Sequence, residues 1–153
     1  STCARGLGAR LGVPGRHLEV LWWKPGWVPL GHGKLRPLVE KVVAEEGWVV
    51  DGNFSDTFPM RLARADTVIW IDRPRLVSFA RAFGRFLKLR GQPREDVGEG
   101  CPEKFDLEFA RYIWTYNREV APRMAAMLRE HGSHVEVVRL RNDAEIADFL
   151  NQR

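Results

Sequence analysis

The stretch WVVDGNFSDTFPMRLARADTVIWIDRPR, residues 48–75, decides the fold class. It holds two short apolar runs, WVV at 48–50 and TVIWI at 67–71, and each run is followed by an aspartate, Asp51 or Asp72. Neither run alternates apolar with polar residues, which is the pattern of parallel strands covered on both faces. We therefore expect two buried parallel strands with helices on either side.

Outward from this stretch, helix-like and strand-like segments alternate along the chain. Apolar residues at helical spacing, or short apolar runs, define the elements. We expect helices at 1–12, 35–47, 76–87, 105–128 with a kink at Pro122, and 142–150 capped by Asn142, and further strands at 16–20 and 135–140. This order predicts an α/β, three-layer domain with a parallel sheet, in which ligands bind outside the carboxyl ends of the strands.

Length and composition set the protein class. The 153 residues suffice for one domain, and 44% hydrophobic with 29% charged residues is the balance of a soluble globular protein rather than a disordered one. No apolar run approaches the ~20 residues of a membrane span, and the first residues lack a signal-peptide core. Cys3 and Cys101 are too few for a disulfide scaffold and lack zinc-ligand spacing. We expect a cytoplasmic protein that does not contact membranes and has no zinc site.

Three acidic residues, Glu19, Asp51 and Asp72, follow expected strands. Carboxylates at this edge of a parallel sheet serve as magnesium ligands or as a general base, although an aspartate after a strand equally often caps the next helix. Asp51 is the strongest candidate, because Gly52 lets a ligand approach the backbone beside it. One such carboxylate suffices for Mg²⁺, which keeps several of its waters.

The net charge of +4 has a local origin. Seven basic residues and no acidic ones lie between Arg73 and Arg94. Such a cluster suits phosphate on a small ligand or a nucleic acid, or it forms a solvated helix face. Arg81, Arg85 and Lys88 share a helix face toward the loop 91–103, the arrangement of a lid that closes over phosphates.

Three tryptophans and one histidine are weaker indicators of function. Trp22, Trp23 and Trp27 surround a Pro-Gly loop, where they stack on a base or cover the core; the core is favoured for Trp22. His17 is expected to be a satisfied core or edge residue. Further arginines can join the phosphate clamp: Arg94, Arg111, Arg118 and Arg123.

Four stretches resemble the P-loop family of DNA topology modulation proteins (FlaR-like), which is related to adenylate kinases. They are HLEVLWWKPGW (17–27), the stretch 48–75, GCPEKFDLEFARYIWTYN (100–117) and VVRLR (137–141). The resemblance implies one nucleoside/nucleotide-kinase-like domain that uses ATP and Mg²⁺, with a lid at about 88–104 and an acceptor-binding segment at about 20–47. The acceptor itself, a nucleotide or other small molecule, is not identified.

Family members begin with a strand and a G-x-x-x-x-G-K-[ST] loop, and Ser1 resembles the residue after the loop lysine. The resemblance therefore implies that this sequence is truncated, or less readily a damaged fragment. The segment GHGK (31–34) is not a substitute, because Leu35 replaces the hydroxyl residue and no strand is expected before it.

The resemblance also implies roles for individual residues. Ser1 and Asp51 would bind the metal, Thr2 and Arg94 would join Asp51 at the nucleotide, and Glu19 would orient the acceptor hydroxyl. Glu19 is one methylene longer than the family's usual aspartate. The remaining residues are catalytic arginines, Arg81, Arg85, Arg118 and Arg123, and substrate-binding residues, Trp23, Trp27, Asn53 and Arg61. The alternatives are a DNA-binding protein with weak, non-specific affinity and an inactive fragment.

Overall fold

The computed structural model describes residues 2–92 and 96–152, along which eight α-helices and six short strands alternate. The helices are α1 Thr2–Leu11, α2 Leu18–Trp22, α3 His32–Ala44, α4 Phe58–Leu62, α5 Arg75–Leu89, α6 Leu107–Glu119, α7 Ala121–His131 and α8 Asp143–Gln152. The strands are β1 Gly15–His17, β2 Trp23–Lys24, β3 Val28–Pro29, β4 Val49–Asp51, β5 Thr67–Ile71 and β6 Glu136–Leu140. The protein is α/β, as predicted.

Two parallel strand pairs carry most of the β structure. β1 pairs with β4, with His17 opposite Asp51, and β5 pairs with β6, with Ile71 opposite Leu140. The sequence predicted one parallel sheet, but within the described residues no ladder joins the two pairs. β2 and β3 form a separate antiparallel hairpin.

Two apolar clusters hold the elements together. In the first, α3 presents a stripe at i, i+4 and i+8, Leu35, Val39 and Val43, to the fully buried Leu18 of α2. In the second, α4 packs against α7, and the partly buried Val68 and Trp70 of β5 cover it. Burial of one such aliphatic side chain contributes about 1.5–3 kcal/mol. These clusters fix the segments that follow β1 and β4.

The strand predicted at 16–20 ends at His17. Leu18, Leu21 and Trp22 all contact the first cluster, and their i, i+3, i+4 spacing places them on one helix face but on opposite strand faces. The chain therefore becomes helical at Leu18, and Glu19 lies in α2. Glu19, predicted to lie just past the end of a strand, lies two residues after β1, in the first turn of α2.

The segment before α3 also differs from the prediction. The helix begins at His32 rather than Leu35, and the two-residue strand β3 precedes it where no strand was expected. Gly31 adopts a φ of +95°, which glycine tolerates, and this turn brings the fully buried Leu35 into the first cluster. The GHGK segment thus begins a core helix.

Helix boundaries follow the predicted signals. α6 ends at Glu119 and α7 carries Pro122 in its first turn, so the kink predicted at Pro122 is a break between helices. The Asn142 Oδ1 atom accepts the Glu145 backbone N–H at 2.9 Å, which confirms the predicted cap of α8. Among the described helices, none is both long and apolar enough to cross a membrane.

Candidate functional site

The carboxyl ends of β1 and β4 join in a histidine–aspartate pair. His17 and Asp51 are register partners, and the His17 Nδ1 atom lies 2.7 Å from Asp51 Oδ1. The side chains are 14% and 28% exposed, so the pair is reachable from solvent but largely enclosed. His17 has a hydrogen-bond partner, as predicted, and this partner is the carboxylate that the sequence had assigned to the metal.

Arg61 holds the loop that follows Asp51. Its guanidinium donates to the Gly52 carbonyl at 2.9 Å and to the Phe54 carbonyl at 3.0 Å, and only 7% of the residue is exposed. Burial lowers the pKa of Arg61 to about 10, which keeps it charged at neutral pH. Arg61 was predicted to bind substrate. The structure instead places it beneath the loop, with two of its nitrogens bonded to backbone.

The close packing of Leu18 and Phe54 around residue 52 requires a glycine there. Its φ is +125°, and a Cβ there would lie 3.0 Å from the Leu18 Cβ and 3.1 Å from the Phe54 ring. A side chain at this position would therefore push the loop away from the first apolar cluster. The loop geometry that presents Asn53 depends on this glycine.

Asn53 meets two tyrosines of α6. The Asn53 amide donates to the Tyr112 hydroxyl at 2.8 Å, and the Tyr116 hydroxyl donates to Asn53 Oδ1 at 3.5 Å. The two rings are one helical turn apart, with centroids separated by 5.8 Å. Asn53 was predicted to bind substrate. It lies two residues after β4, and the hydroxyl groups of Tyr112 and Tyr116 orient its amide nitrogen and its amide oxygen.

The pKa values of both tyrosines are influenced by carboxylates. Burial raises the pKa of Tyr112, and the charge of Glu19 raises it further against the opposing hydrogen bond from Asn53. Burial also raises the pKa of Tyr116 to about 12, with contributions from Tyr112 and then Asp72. Glu19, at the start of α2, and Asp72, after β5, therefore both act electrostatically on the tyrosine pair. The residues that follow β4 and β5 therefore both act on α6, Asn53 through hydrogen bonds and Asp72 through its charge.

The predicted phosphate-clamping arginines are engaged in ion pairs. Arg81 lies 2.6 Å from Asp143, which also binds Arg73, so both arginines anchor the start of α8. These two contacts lower the pKa of Asp143, with Arg73 the larger cause. Arg85 approaches Glu103 Oε1 at 3.2 Å. The positive charge of α5 is therefore partly neutralised within the chain.

The other predicted residues are spread over the surface. Arg118 pairs with the adjacent Glu119 at 2.9 Å, and Arg123 and Thr2 are exposed at the starts of α7 and α1. Ser1 and Arg94 lie outside the described residues. Glu19 and Asn53 thus both act on Tyr112, Asn53 directly follows the Asp51–Gly52 turn, and Arg118 bonds to Glu119 instead.

Residues 96–104 of the predicted lid pack against the hairpin of β2 and β3. The Gly26 N–H donates to the Gly100 carbonyl at 3.0 Å, and the Trp27 indole N–H donates to the Pro102 carbonyl at 3.0 Å. Lys104 lies over the Trp27 ring, 4.9 Å from its centre. Trp23 and Trp27, predicted to bind substrate, are therefore part of the contact between the lid and the acceptor-binding segment.

Two further observations bear on ligands. Among the described residues, no group of three or more histidine, cysteine or acidic side chains is arranged to hold a metal ion. A groove of about 240 Å³ lies between β5–β6 and α7, lined by Trp70, Leu128 and Val137. It opens on the face of the strand pair rather than at its carboxyl end, so we do not assign it to the site.

Sequence reasoning did not identify Tyr112 and Tyr116 as candidate site residues, because it used them only as part of the apolar pattern that predicts the helix 105–128. The available signal was their spacing. Phenols at i and i+4 place two hydroxyls side by side, which an apolar stripe does not need.

Comparison with known proteins does not identify a family for this chain: no family model, no curated protein and no solved structure matches it.

Proposed function

We propose that the chain is part of a P-loop phosphotransferase of the nucleoside/nucleotide-kinase type, resembling the FlaR-like relatives of adenylate kinase. In this proposal it transfers a phosphoryl group from Mg²⁺-ATP to a small acceptor bound at the edge formed by Glu19, Asp51 and Asn53.

The observation that carries this proposal is the arrangement of the two parallel strand pairs. β4 and β5 each have one pairing partner among the described residues, and the residues that follow both strands act on the tyrosines of α6, Asn53 by a hydrogen bond and Asp72 by its charge. One parallel strand between them would complete a five-stranded sheet and satisfy the backbone groups of both edges. In the family, that strand leads through the phosphate loop into the helix that corresponds to α1. α1 already packs on β1 and β4, where such a helix belongs.

The residues at this edge suit magnesium. Mg²⁺ takes one or two carboxylates and retains waters, so Asp51, which is partly exposed, is sufficient without a three-ligand cluster. His17 holds the Asp51 carboxylate in one orientation through the 2.7 Å contact. Mg²⁺-ATP, when bound, supplies the phosphoryl group and neutralises charge that develops on it.

The remaining roles belong to side chains of this chain. In this proposal Glu19 orients the acceptor hydroxyl and accepts its proton, and its electrostatic effect on Tyr112 supports that role. Arg81 and Arg85 stabilise charge on the transferred group after they exchange their carboxylate partners for phosphate. Catalysis then consists of positioning and charge stabilisation.

The test begins with the intact mass of the native protein, because a strand and phosphate loop of about 15 residues would add roughly 1.5 kDa. ATP-dependent phosphoryl transfer by that protein is then measured with a panel of hydroxyl acceptors. We expect Asp51→Asn to reduce turnover at least about tenfold. Asp148→Asn, an exposed substitution on α8, is the matched control and should leave turnover unchanged. Failure of the native protein to bind ATP would refute the proposal.

A further inference from the structure

We propose that an exposed apolar stripe on α5 binds a second copy of this chain, with the two α5 helices packed antiparallel about a two-fold axis. The α5 stripe consists of Leu76, Ala80, Phe83 and Leu87, all of them exposed. This inference goes beyond the proposed function and does not depend on it.

Helix α5 contributes little to the core of its own chain. Of its fifteen residues, only Ala82 is buried. Phe79 and Phe83 pack edge-on against Phe105, with ring centroids 5.3 and 5.4 Å apart, and this contact involves one side of α5. The α5 stripe lies beside that contact, where Leu76 is 65% and Leu87 is 60% exposed. Within the described part of the chain, nothing covers these two leucines.

The spacing of the α5 stripe fits two-fold packing. Its residues recur at i, i+4, i+7 and i+11, which is the seam spacing of two packed helices. In an antiparallel pair centred between residues 81 and 82, Leu76 lies opposite Leu87 of the second copy, and Ala80 lies opposite Phe83 of the second copy. Both pairs repeat on the other side of the axis, as a two-fold interface requires. Large side chains thus meet the small Ala80, and the two leucines match in size.

The exposed apolar area is that of a stable interface. Five large side chains on or beside the stripe are between 42% and 65% exposed: Leu76, Val77, Phe83, Leu87 and Trp114, whose ring packs on Phe79 from α6. At about 150–200 Å² per large side chain, they expose roughly 400–500 Å² in each copy. A standard interface buries about 800 Å² per partner, of which about 60%, or roughly 480 Å², is apolar. One stripe against another therefore buries enough area for a stable dimer.

The charges of α5 favour a second copy over an anionic membrane surface. At about 100° per residue, Arg81, Arg85 and Lys88 lie on the side of the helix away from the stripe. Arg81 is bonded to Asp143 and Arg85 to Glu103 of the same chain. A helix that lies on a membrane uses free cations on its polar face, and two of these three are engaged. The residues that flank the stripe along α5 are uncharged: Val77, Phe79, Gly84 and Phe86.

The experiment measures the mass of the protein at its native length, by sedimentation equilibrium at concentrations up to about 100 μM. We expect the mass of two chains. Leu76→Glu places an unpaired charge at both ends of the interface and should raise the dissociation constant at least about a hundredfold. Leu11→Glu, the same substitution at a leucine 50% exposed on α1, is the matched control and should remain dimeric. A monomeric wild type, or a dimer that Leu76→Glu leaves intact, overturns the proposal.

Two further measurements identify the occupant if the wild type is monomeric. Binding to vesicles of anionic phospholipid shows that a lipid surface covers the stripe. A Leu87→Cys thiol that resists alkylation in the folded monomer shows that another part of the chain covers it. Either result overturns the proposal.

Disulfide cross-linking tests the register without relying on a disruptive variant. Leu76→Cys and Leu87→Cys are prepared separately, mixed, and treated with oxidised glutathione; the native cysteines, Cys3 and Cys101, are buried. We expect a cross-linked dimer from the mixture and none from either variant alone, because the two copies of residue 76 lie about 16 Å apart along the helix axis, too far for a disulfide. Cross-linking of Leu76→Cys alone, or no cross-linking in the mixture, overturns the antiparallel arrangement.

Discussion

The contact between the lid and the hairpin yields a sharp structural prediction at Gly98. A Cβ at this residue would lie 1.9 Å from the Trp23 carbonyl oxygen and 2.9 Å from the carbonyl carbon. Real Cβ contacts are essentially never shorter than 3.0 Å, so Gly98→Ala must move one backbone segment by more than an ångström. Backbone atoms, unlike the end of a flexible side chain, cannot swing aside.

The magnitude follows from what that shift disturbs. Two hydrogen bonds join the same segments, Gly26 to Gly100 and Trp27 to Pro102, each 3.0 Å long. Each contributes about 1 kcal/mol, and overpacking costs about 1–3 kcal/mol more. We expect a loss of about 3 kcal/mol, which lowers the Tm by roughly 6–12 °C for a chain of this size.

Thermal unfolding and limited proteolysis measure this effect together. If the lid detaches instead of straining the fold, the Tm falls less and cleavage within 96–104 becomes faster. The control is Gly84→Ala in α5, where no atom beyond the adjacent residues and the helix's own backbone lies within 4 Å of the new Cβ, and which should raise stability by about 0.5–1 kcal/mol. A Gly98→Ala protein with wild-type Tm and wild-type protease resistance would refute the packing described here.

Two other substitutions test the support of the loop after β4 and the N-terminal cap of α6. Arg61→Met removes both donors from the Gly52 and Phe54 carbonyls, so the free energy of unfolding should fall by roughly 2–4 kcal/mol in urea titrations, whereas a surface role would leave it unchanged. Asp106→Ala removes the cap on Phe109 N–H, a 2.8 Å bond, and should cost about 1 kcal/mol at neutral pH. Because that bond is the main cause that lowers the pKa of Asp106, its stabilisation is complete above the ordinary carboxyl pKa of about 4 and is lost as the pH falls through the folded-state value. The difference in urea midpoint between wild type and Asp106→Ala should therefore shrink in acid, and a difference that stays constant would contradict the capping role.

Local patterns predicted the parts of the fold whose causes are local. The run 67–71 is strand β5, and the Asn142 cap begins α8 as its spacing to Glu145 requires. The helix 76–87 was predicted from its apolar stripe and appears as α5 with two more residues at its C-terminal end. In each case the deciding interactions join residues a few positions apart, which a sequence pattern contains.

The failures have long-range causes. Residues 16–20 are apolar enough for a strand, but the buried surface of α3 selects a helix at Leu18. The His17–Asp51 pair joins residues 34 apart, and the Asn53–Tyr112 bond joins residues 59 apart. Position after a strand identified Asp51 as a candidate, and the family resemblance identified Asn53. Neither carried information on which side chain each would face.

The arginines show how such distant partners change a functional argument. Arg81 is bonded to an aspartate that is 66% exposed, and exposed ion pairs contribute only about 0–1 kcal/mol, so exchange of that carboxylate for a phosphate costs little. Arg85 faces Glu103, whose side chain is only 1% exposed, and moving the guanidinium away removes a cation from a buried carboxylate. The two arginines are equivalent by helical spacing, yet their partners make the exchange for phosphate cheaper for Arg81 than for Arg85. Arg85→Ala is therefore expected to alter the packing of residues 96–104 through Glu103 as well as phosphoryl transfer, whereas Arg81→Ala is expected to alter transfer alone.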